Sequence, residues 1–239
     1  MRRPWTSWIA TVVCLLLAVV GCRGNADSEQ GARQKQPSPS AEAAPARLPA
    51  AGRPRIVALG DSLTAGLGLP SDQAYPALLQ QKLDSNGYDY EMVNAGVSGD
   101  TSAGGLRRLD WSLQGNVRVL ILALGANDGL RGLRPAEMKS NLEQIIGRAK
   151  HRRIRVILAG MEAPPNYGRE YTAAYRDVYA DLAREHELAF LPFLLANVAG
   201  DPSLNQADGI HPNAKGASLL ADALWRILQP MLARTAPAS

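Results

Sequence analysis

"VRVLILALGANDG", residues 117–129, decides the fold. Apart from Arg118, the run from Val117 to Leu124 is wholly apolar, and small and polar residues close it. A strand with one wet face alternates apolar and polar side chains. A run this continuous suits a strand covered on both faces, as in a parallel sheet. "IRVILAG" (154–160) reads the same way, and "RIVALG" (55–60), "YEMVNAG" (90–96) and "LAFLP" (188–192) complete five predicted strands. Helical patterns lie between them. Met138, Leu142, Ile145, Ile146 and Ala149 recur at helical spacing behind Pro135, which suits a first turn. Tyr171, Tyr175, Val178 and Leu182 form a second stripe, and Leu220, Ala223, Leu224, Ile227 and Met231 a third. Such stripes are core. Strand–helix alternation throughout predicts an α/β fold, a three-layer doubly wound sheet of about five parallel strands with right-handed crossovers.

In such a sheet ligands bind outside the carboxyl ends of the strands. Polar motifs that directly follow a strand are therefore the candidates for function. "GDSLTAG" brings Asp61 and Ser62 after the first strand, and "NAGVSGDTS" brings Gly96, Ser98 and Gly99 after the second. "GANDG" brings Asn127 and Asp128 after the third. "NQADGIHPNAKG" (205–216) follows the last after a loop, with Asp208 three residues before His211 and Pro212 immediately after it. The proline biases His211 away from helical geometry and can itself open a helix. The other two histidines sit in helical contexts that read as solvated: His151 in "KHRR" (150–153) and His186 in "AREHEL" (183–188). Taken singly, each residue has a plain alternative. Ser62 can be a helix N-cap in an anion-binding loop, Asn127 a turn residue, and Asp208 an Asx-turn acid beside Gly209. Taken together at one sheet edge, they suit nucleophilic catalysis. A serine hydroxyl is a poor nucleophile until an imidazole takes its proton, and the imidazole needs a carboxylate to fix its tautomer.

"GDSL", "SGDTS", "GANDG" and "DGIHP" are similar, in this order, to the four blocks of the SGNH (GDSL-type) hydrolases. "VNAGVSGDTSAGGLRRL", "GANDGLRGL" and "PPNYGREYTAAY" resemble in particular the bacterial thioesterase I / lysophospholipase / arylesterase branch. The resemblance covers roughly residues 55–228. It implies the flavodoxin-like fold of that family, Ser62 as nucleophile, His211 as general base and Asp208 as its orienter. It also implies an oxyanion hole built from the Ser62 and Gly99 backbone N–H groups and the Asn127 carboxamide. Gly96 competes with Gly99 for that role, and the match to "SGDTS" selects Gly99. The G-x-S-x-G elbow of α/β-hydrolases is not matched, because position 64 is Thr.

Around these residues, Asp61 reads as a turn former, Asp128 as structural support, and Asp100 and Thr101 as the start of the next helix. Residues 129–134 are expected to form a mobile rim. Met161, Pro164, Pro165, Phe193 and Leu194 are candidates for an apolar wall against an acyl chain.

The N-terminus reads as a leader. "MRRPWTSW" carries two arginines, and "IATVVCLLLAVVG" is too short for a spanning helix of about 20 residues. It ends in "VVGC", which resembles a bacterial lipobox and implies cleavage before Cys22 and its lipidation. The expected division is a signal peptide over 1–21, a disordered Ala/Pro/Ser/Gln-rich tether over 22–53, one hydrolase domain over 54–232 and a flexible tail over 233–239. Lipid chains would anchor the protein to a membrane. Arg23, in place of an aspartate, resembles the signal for the periplasmic face of a Gram-negative outer membrane. Cys14 and Cys22 are the only cysteines and both lie in the leader. The domain therefore has no disulfide, no thiol nucleophile and no Cys–His zinc site. A net charge of +4 with 5% aromatic residues gives no nucleic-acid footprint. The expectation is an exported, monomeric esterase needing neither metal nor cofactor. Its substrates would be lysophospholipids or aryl and alkyl esters, with thioesters less suited to an exported enzyme. The alternatives are an O-acetyl-polysaccharide deacetylase and a ligand-binding lipoprotein without catalysis.

Overall fold

A computed structural model describes residues 52–232. The leader with Cys22, nearly all of the expected tether, and residues 233–239 lie outside the described residues. Within them, Gly52 and Arg53 are already tied to the domain. The Asn116 side chain donates to the Gly52 carbonyl at 2.8 Å, and Arg53 Nε lies 2.7 Å from Asp89.

Five parallel strands, β1 (Arg55–Gly60), β2 (Glu91–Gly96), β3 (Val117–Ala123), β4 (Arg155–Ala159) and β5 (Ala189–Leu191), pair in the order β2-β1-β3-β4-β5. β1, β3 and β4 are buried almost throughout, whereas edge strands β2 and β5 are mostly half-buried. For β3 and β4 that is what their continuous apolar runs predict. The order reverses between β1 and β3, so a crevice opens beyond their carboxyl ends. Register brings those ends level: Gly60 stands opposite Gly96 on one side and Ala123 on the other.

The helices are α1 (Ser62–Ala65), α2 (Tyr75–Ser85), α3 (Ser102–Arg107), α4 (Leu109–Ser112), α5 (Ala126–Leu130), α6 (Pro135–His151), α7 (Arg169–Glu185) and α8 (Ala214–Leu228). α2 packs on α8, while α6 packs on α3 and α7. α1 lies so close to β2 that a Cβ on Gly96 would stand 2.2 Å from the Ala65 nitrogen. The α6 stripe is buried as predicted, with Pro135 in its first turn. In α7, Tyr175, Val178 and Leu182 are buried and Tyr171 is half-buried. α8 departs from its predicted stripe. Its buried face is Ala217, Leu220, Ala221, Leu224 and Leu228, with Ala223 and Ile227 half-buried at the flank. Met231 falls outside the helix, in a 3-10 turn containing Pro230, which cannot continue the α-helical bonding.

Candidate active site

The first carboxyl-end turn is built by Asp61. Its carboxylate accepts from the Leu63 N–H at 3.0 Å and so takes the N-cap of α1, leaving Ser62 free of capping. Ser62 begins the helix and Gly66 ends it in a left-handed conformation. The last loop closes as a small hairpin, with Asn205 bridged to Pro212 and the Gln206 N–H donating to the His211 carbonyl at 2.8 Å. Asn213, not Pro212, caps α8, accepting from the N–H groups of Lys215 and Gly216. The Gln206 side chain donates to the Leu67 carbonyl at 2.7 Å and to the Pro212 carbonyl at 2.9 Å. It thereby staples the histidine loop to the turn after Ser62.

These two loops bring together residues 149 positions apart. His211 Nε2 lies 2.9 Å from Ser62 Oγ, and Nδ1 lies 2.6 Å from Asp208 Oδ2. Asp208 Oδ1 accepts from the backbone N–H groups of Ile210 and His211 at 2.9 and 3.0 Å. Asp208 is thus an Asx-turn acid and the partner of the imidazole at once. Those bonds to its charged form hold the carboxyl down at about 2. It stays ionised wherever the imidazole can work. Hydroxyl, imidazole and carboxylate form one continuous relay, the geometry that general-base activation of a serine requires.

Ser62, Gly99, Asn127 and His211 line one cavity of about 600 Å³. Gly99 has φ +81, a left-handed turn that glycine adopts without strain, and its carbonyl is engaged by Arg131 Nη2 at 2.8 Å. Gly96 instead belongs to β2, and its N–H is taken by the Asn94 side chain at 2.9 Å. Of the two glycines, only Gly99 lines the cavity. Asn127 sits in the first turn of α5, with Nδ2 3.4 Å from Asp61 Oδ2.

Asp61 does more than form a turn. It is 1% exposed, and loss of water raises its carboxyl from 3.8 to about 6, against the lowering effects of the Leu63 N–H, the nearby His211 and Asn127. The place of Asp61 between a strand end and the nucleophile is legible in the sequence, but its burial is not. Asp128 is the expected structural support. It accepts from Ser102 through N–H at 2.8 Å and Oγ at 2.6 Å, joining the turn that follows β3 to the start of α3. Thr101 caps α3, whereas Asp100 turns to Arg108, whose Nε lies 2.6 Å away. Arg108 also donates to the carbonyls of Ala95 and Gly60, bracing two strand ends under the site.

The apolar wall is largely where the sequence put it. Met161, Pro164, Pro165 and Phe193 line the cavity. Leu194 does not: it is 2% exposed in the core, its N–H bonded to the Gly160 carbonyl, and Leu195 faces the cavity in its place. Spacing alone cannot say which of two adjacent leucines turns inward in an irregular loop. His151 is exposed, as read. His186 is less solvated than read, with a side chain 22% exposed at the end of α7, but it lies just before β5 and so at the opposite edge of the sheet. The only described group of side chains placed to share a metal ion is Glu143, Glu185 and His186, at that same far edge.

Residues 58–219 match the GDSL-like lipase/acylhydrolase family. The chain belongs to that family. Esterase TesA of Pseudomonas aeruginosa is 43% identical over 178 residues, which span 74% of this chain and 89% of that protein. Thioesterase 1/protease 1/lysophospholipase L1 of Escherichia coli is 40% identical over 184 residues, 77% of this chain and 87% of that one. The crystal structure of psychrotrophic esterase EstA from Pseudoalteromonas sp., inhibited by monoethylphosphonate, matches with a TM-score of 0.71 at 33% identity. It covers 74% of this chain and 97% of its own. As a GDSL-family member with relatives of this kind, the chain is a serine hydrolase of ester bonds.

Proposed function

We propose that this GDSL-family esterase works through an acyl-enzyme on Ser62. His211 Nε2 takes the Ser62 proton as Oγ bonds to the substrate carbonyl carbon. The charge that gathers on the carbonyl oxygen is met by the Ser62 and Gly99 N–H groups and the Asn127 amide. The tetrahedral adduct collapses, the leaving alcohol takes the proton from Nε2, and Ser62 remains acylated. A water then gives a proton to Nε2 as its oxygen attacks the acyl carbon. Collapse returns that proton to Ser62 and releases the carboxylic acid. Asp208 stays ionised throughout and holds the Nδ1 proton. The observation that carries this reading is the unbroken Ser62–His211–Asp208 contact, with distances of 2.9 and 2.6 Å.

The acyl group fits the apolar side of the cavity, walled by Leu63, Met161, Pro164, Phe193 and Leu195. A space of about 600 Å³ with such walls favours medium or long acyl chains over acetate alone, and so lysophospholipids and aryl or alkyl esters over O-acetylated sugars. We further propose that the enzyme is exported, cleaved before Cys22 and lipid-anchored there, and acts as a monomer without cofactor. The support is the arginine-flanked apolar leader and the "VVGC" stretch. An ester panel from acetate to dodecanoate tests the reading. Activity that rises beyond acetate and vanishes in Ser62→Ala and His211→Ala is expected, and acetate-only activity would favour the O-acetyl-polysaccharide deacetylase instead.

A further inference from the structure

Four tyrosines recur every fourth residue, Tyr167, Tyr171, Tyr175 and Tyr179, the last three on α7 and the first in the turn before it. Their rings form a continuous file, with successive centroids 5.1, 6.2 and 5.7 Å apart. All four hydroxyls donate to main-chain carbonyls of one segment. Tyr179 reaches Leu124 at 3.0 Å, Tyr175 reaches Gly125 at 2.7 Å, Tyr171 reaches Leu133 at 2.7 Å and Tyr167 reaches Leu130 at 2.9 Å. That segment, 124–133, carries Asn127 and supplies Leu130 to the cavity wall.

The three glycines of "GANDGLRG" each face one of the four rings, all but that of Tyr171. A Cβ at Gly125 would stand 2.0 Å from the Tyr179 hydroxyl, at Gly129 3.1 Å from the Tyr175 ring, and at Gly132 2.7 Å from the Tyr167 ring. Two sequence features with no evident connection therefore have one cause: the glycines let the loop backbone settle onto the file of rings. Burial pushes the Tyr175 and Tyr179 phenols well up from their ordinary value, so both remain donors throughout the working range. An oxyanion donor must be held to within a fraction of an ångström of its productive position. Nothing in α5, five residues long, supplies such rigidity on its own.

We infer that Tyr167, Tyr171, Tyr175 and Tyr179 are positioning residues, a splint along α7 and the turn before it that sets the place of the Asn127 amide and the shape of the cavity wall. The inference deepens the proposed mechanism and rests on Asn127 being the oxyanion donor. The ladder has two ends with different tasks. The inner pair, 0% and 1% exposed, sits under the start of α5, while the outer pair fastens the rim.

The test uses the full chain and hydroxyl deletions that keep the rings. Tyr175→Phe and Tyr179→Phe are expected to lower kcat at least 5-fold with KM within 2-fold, and to cause no further loss when Asn127 is already Ala. Tyr167→Phe and Tyr171→Phe are expected to raise KM on long-chain esters at least 3-fold, and more than they change any parameter on acetate esters. The outer variants touch only exposed or half-buried hydroxyls, so they remain readable even if an inner variant fails to fold. Equal losses with and without Asn127 would mark the inner tyrosines as general scaffolding and overturn the inference, as would wild-type kinetics in all four. A wild-type rate in Asn127→Ala would instead remove the oxyanion assignment. Amide exchange over 126–133 then judges the splint by itself, since faster exchange in the inner variants is expected and unchanged exchange contradicts it.

Discussion

Asp61→Asn should gain stability relative to the wild-type protein as the pH rises from 4 to 7.5. The wild-type carboxyl is raised from 3.8 to about 6 by burial. A carboxyl raised in the folded state is penalised when ionised. The penalty is absent below the unfolded value, grows between about 4 and 6, and is complete above. A rise of that size corresponds to about 3 kcal/mol at most. The carboxamide carries no charge and so escapes it. It has one oxygen for the two donors Asp61 now serves, Leu63 N–H and Asn127 Nδ2, and the unmet donor costs about 1–3 kcal/mol. That loss does not depend on pH, so it cancels when the two proteins are compared at two pH values. The stability of Asp61→Asn relative to wild type should therefore climb between pH 4 and 7.5, by up to about 3 kcal/mol. At roughly 2–4 °C per kcal/mol for a domain of this size, the corresponding gain in relative Tm is about 6–12 °C. Urea unfolding and thermal melts at the two pH values measure it. A difference that stays flat from pH 4 to 7.5 would refute the claim that this carboxyl is buried and charged beside the nucleophile.

Asn127→Ala should lower kcat by about 10²–10³-fold with little change in KM, because the amide is asked to act on the transition state and not on the bound ester. Steady-state kinetics on a soluble ester reads both terms, and a KM effect alone would move Asn127 out of the oxyanion site. Arg108→Met should cost about 2–4 kcal/mol, since it leaves Asp100 and the carbonyls of Gly60 and Ala95 without their shared donor, in a pair whose side chains are each 17% exposed. A denaturation midpoint within error of wild type would show that the brace contributes nothing.

Much of this was open to a reader of the chain alone, and the exceptions share a physical cause. Short β-branched and aliphatic runs placed all five strands within two residues of their ends, and the signal is plainest in β3 and β4, where a strand buried on both faces needs no partner to interpret. Ser62 follows from a motif that directly succeeds a strand, Asp208 and His211 from one that comes after the last strand and a loop, and the parallel sheet carries these turns to one edge. What the sequence hid depends on side-chain direction and on distant neighbours. Leu194 and Leu195 exchange roles in an irregular loop that has no period to read. The α8 stripe turns by about one residue toward Ala217 and Ala221, since the helix is oriented by β5 and α2 as well as by its own pattern. Asp61 looked like a turn residue because burial is a property of what packs around it. Gln206, reaching 139 positions back to the Leu67 carbonyl, left no local mark at all. The tyrosines were visible as a core stripe, but not the use of their hydroxyls.

Site-mapped phosphonylation bears most directly on the central contact between Ser62 and His211. A fluorophosphonate should label the wild-type protein once, with the adduct on the peptide containing Ser62, and the rate should fall by at least 10³-fold in His211→Ala. An adduct elsewhere, or labelling of Ser62 that proceeds at the wild-type rate without His211, would contradict the account.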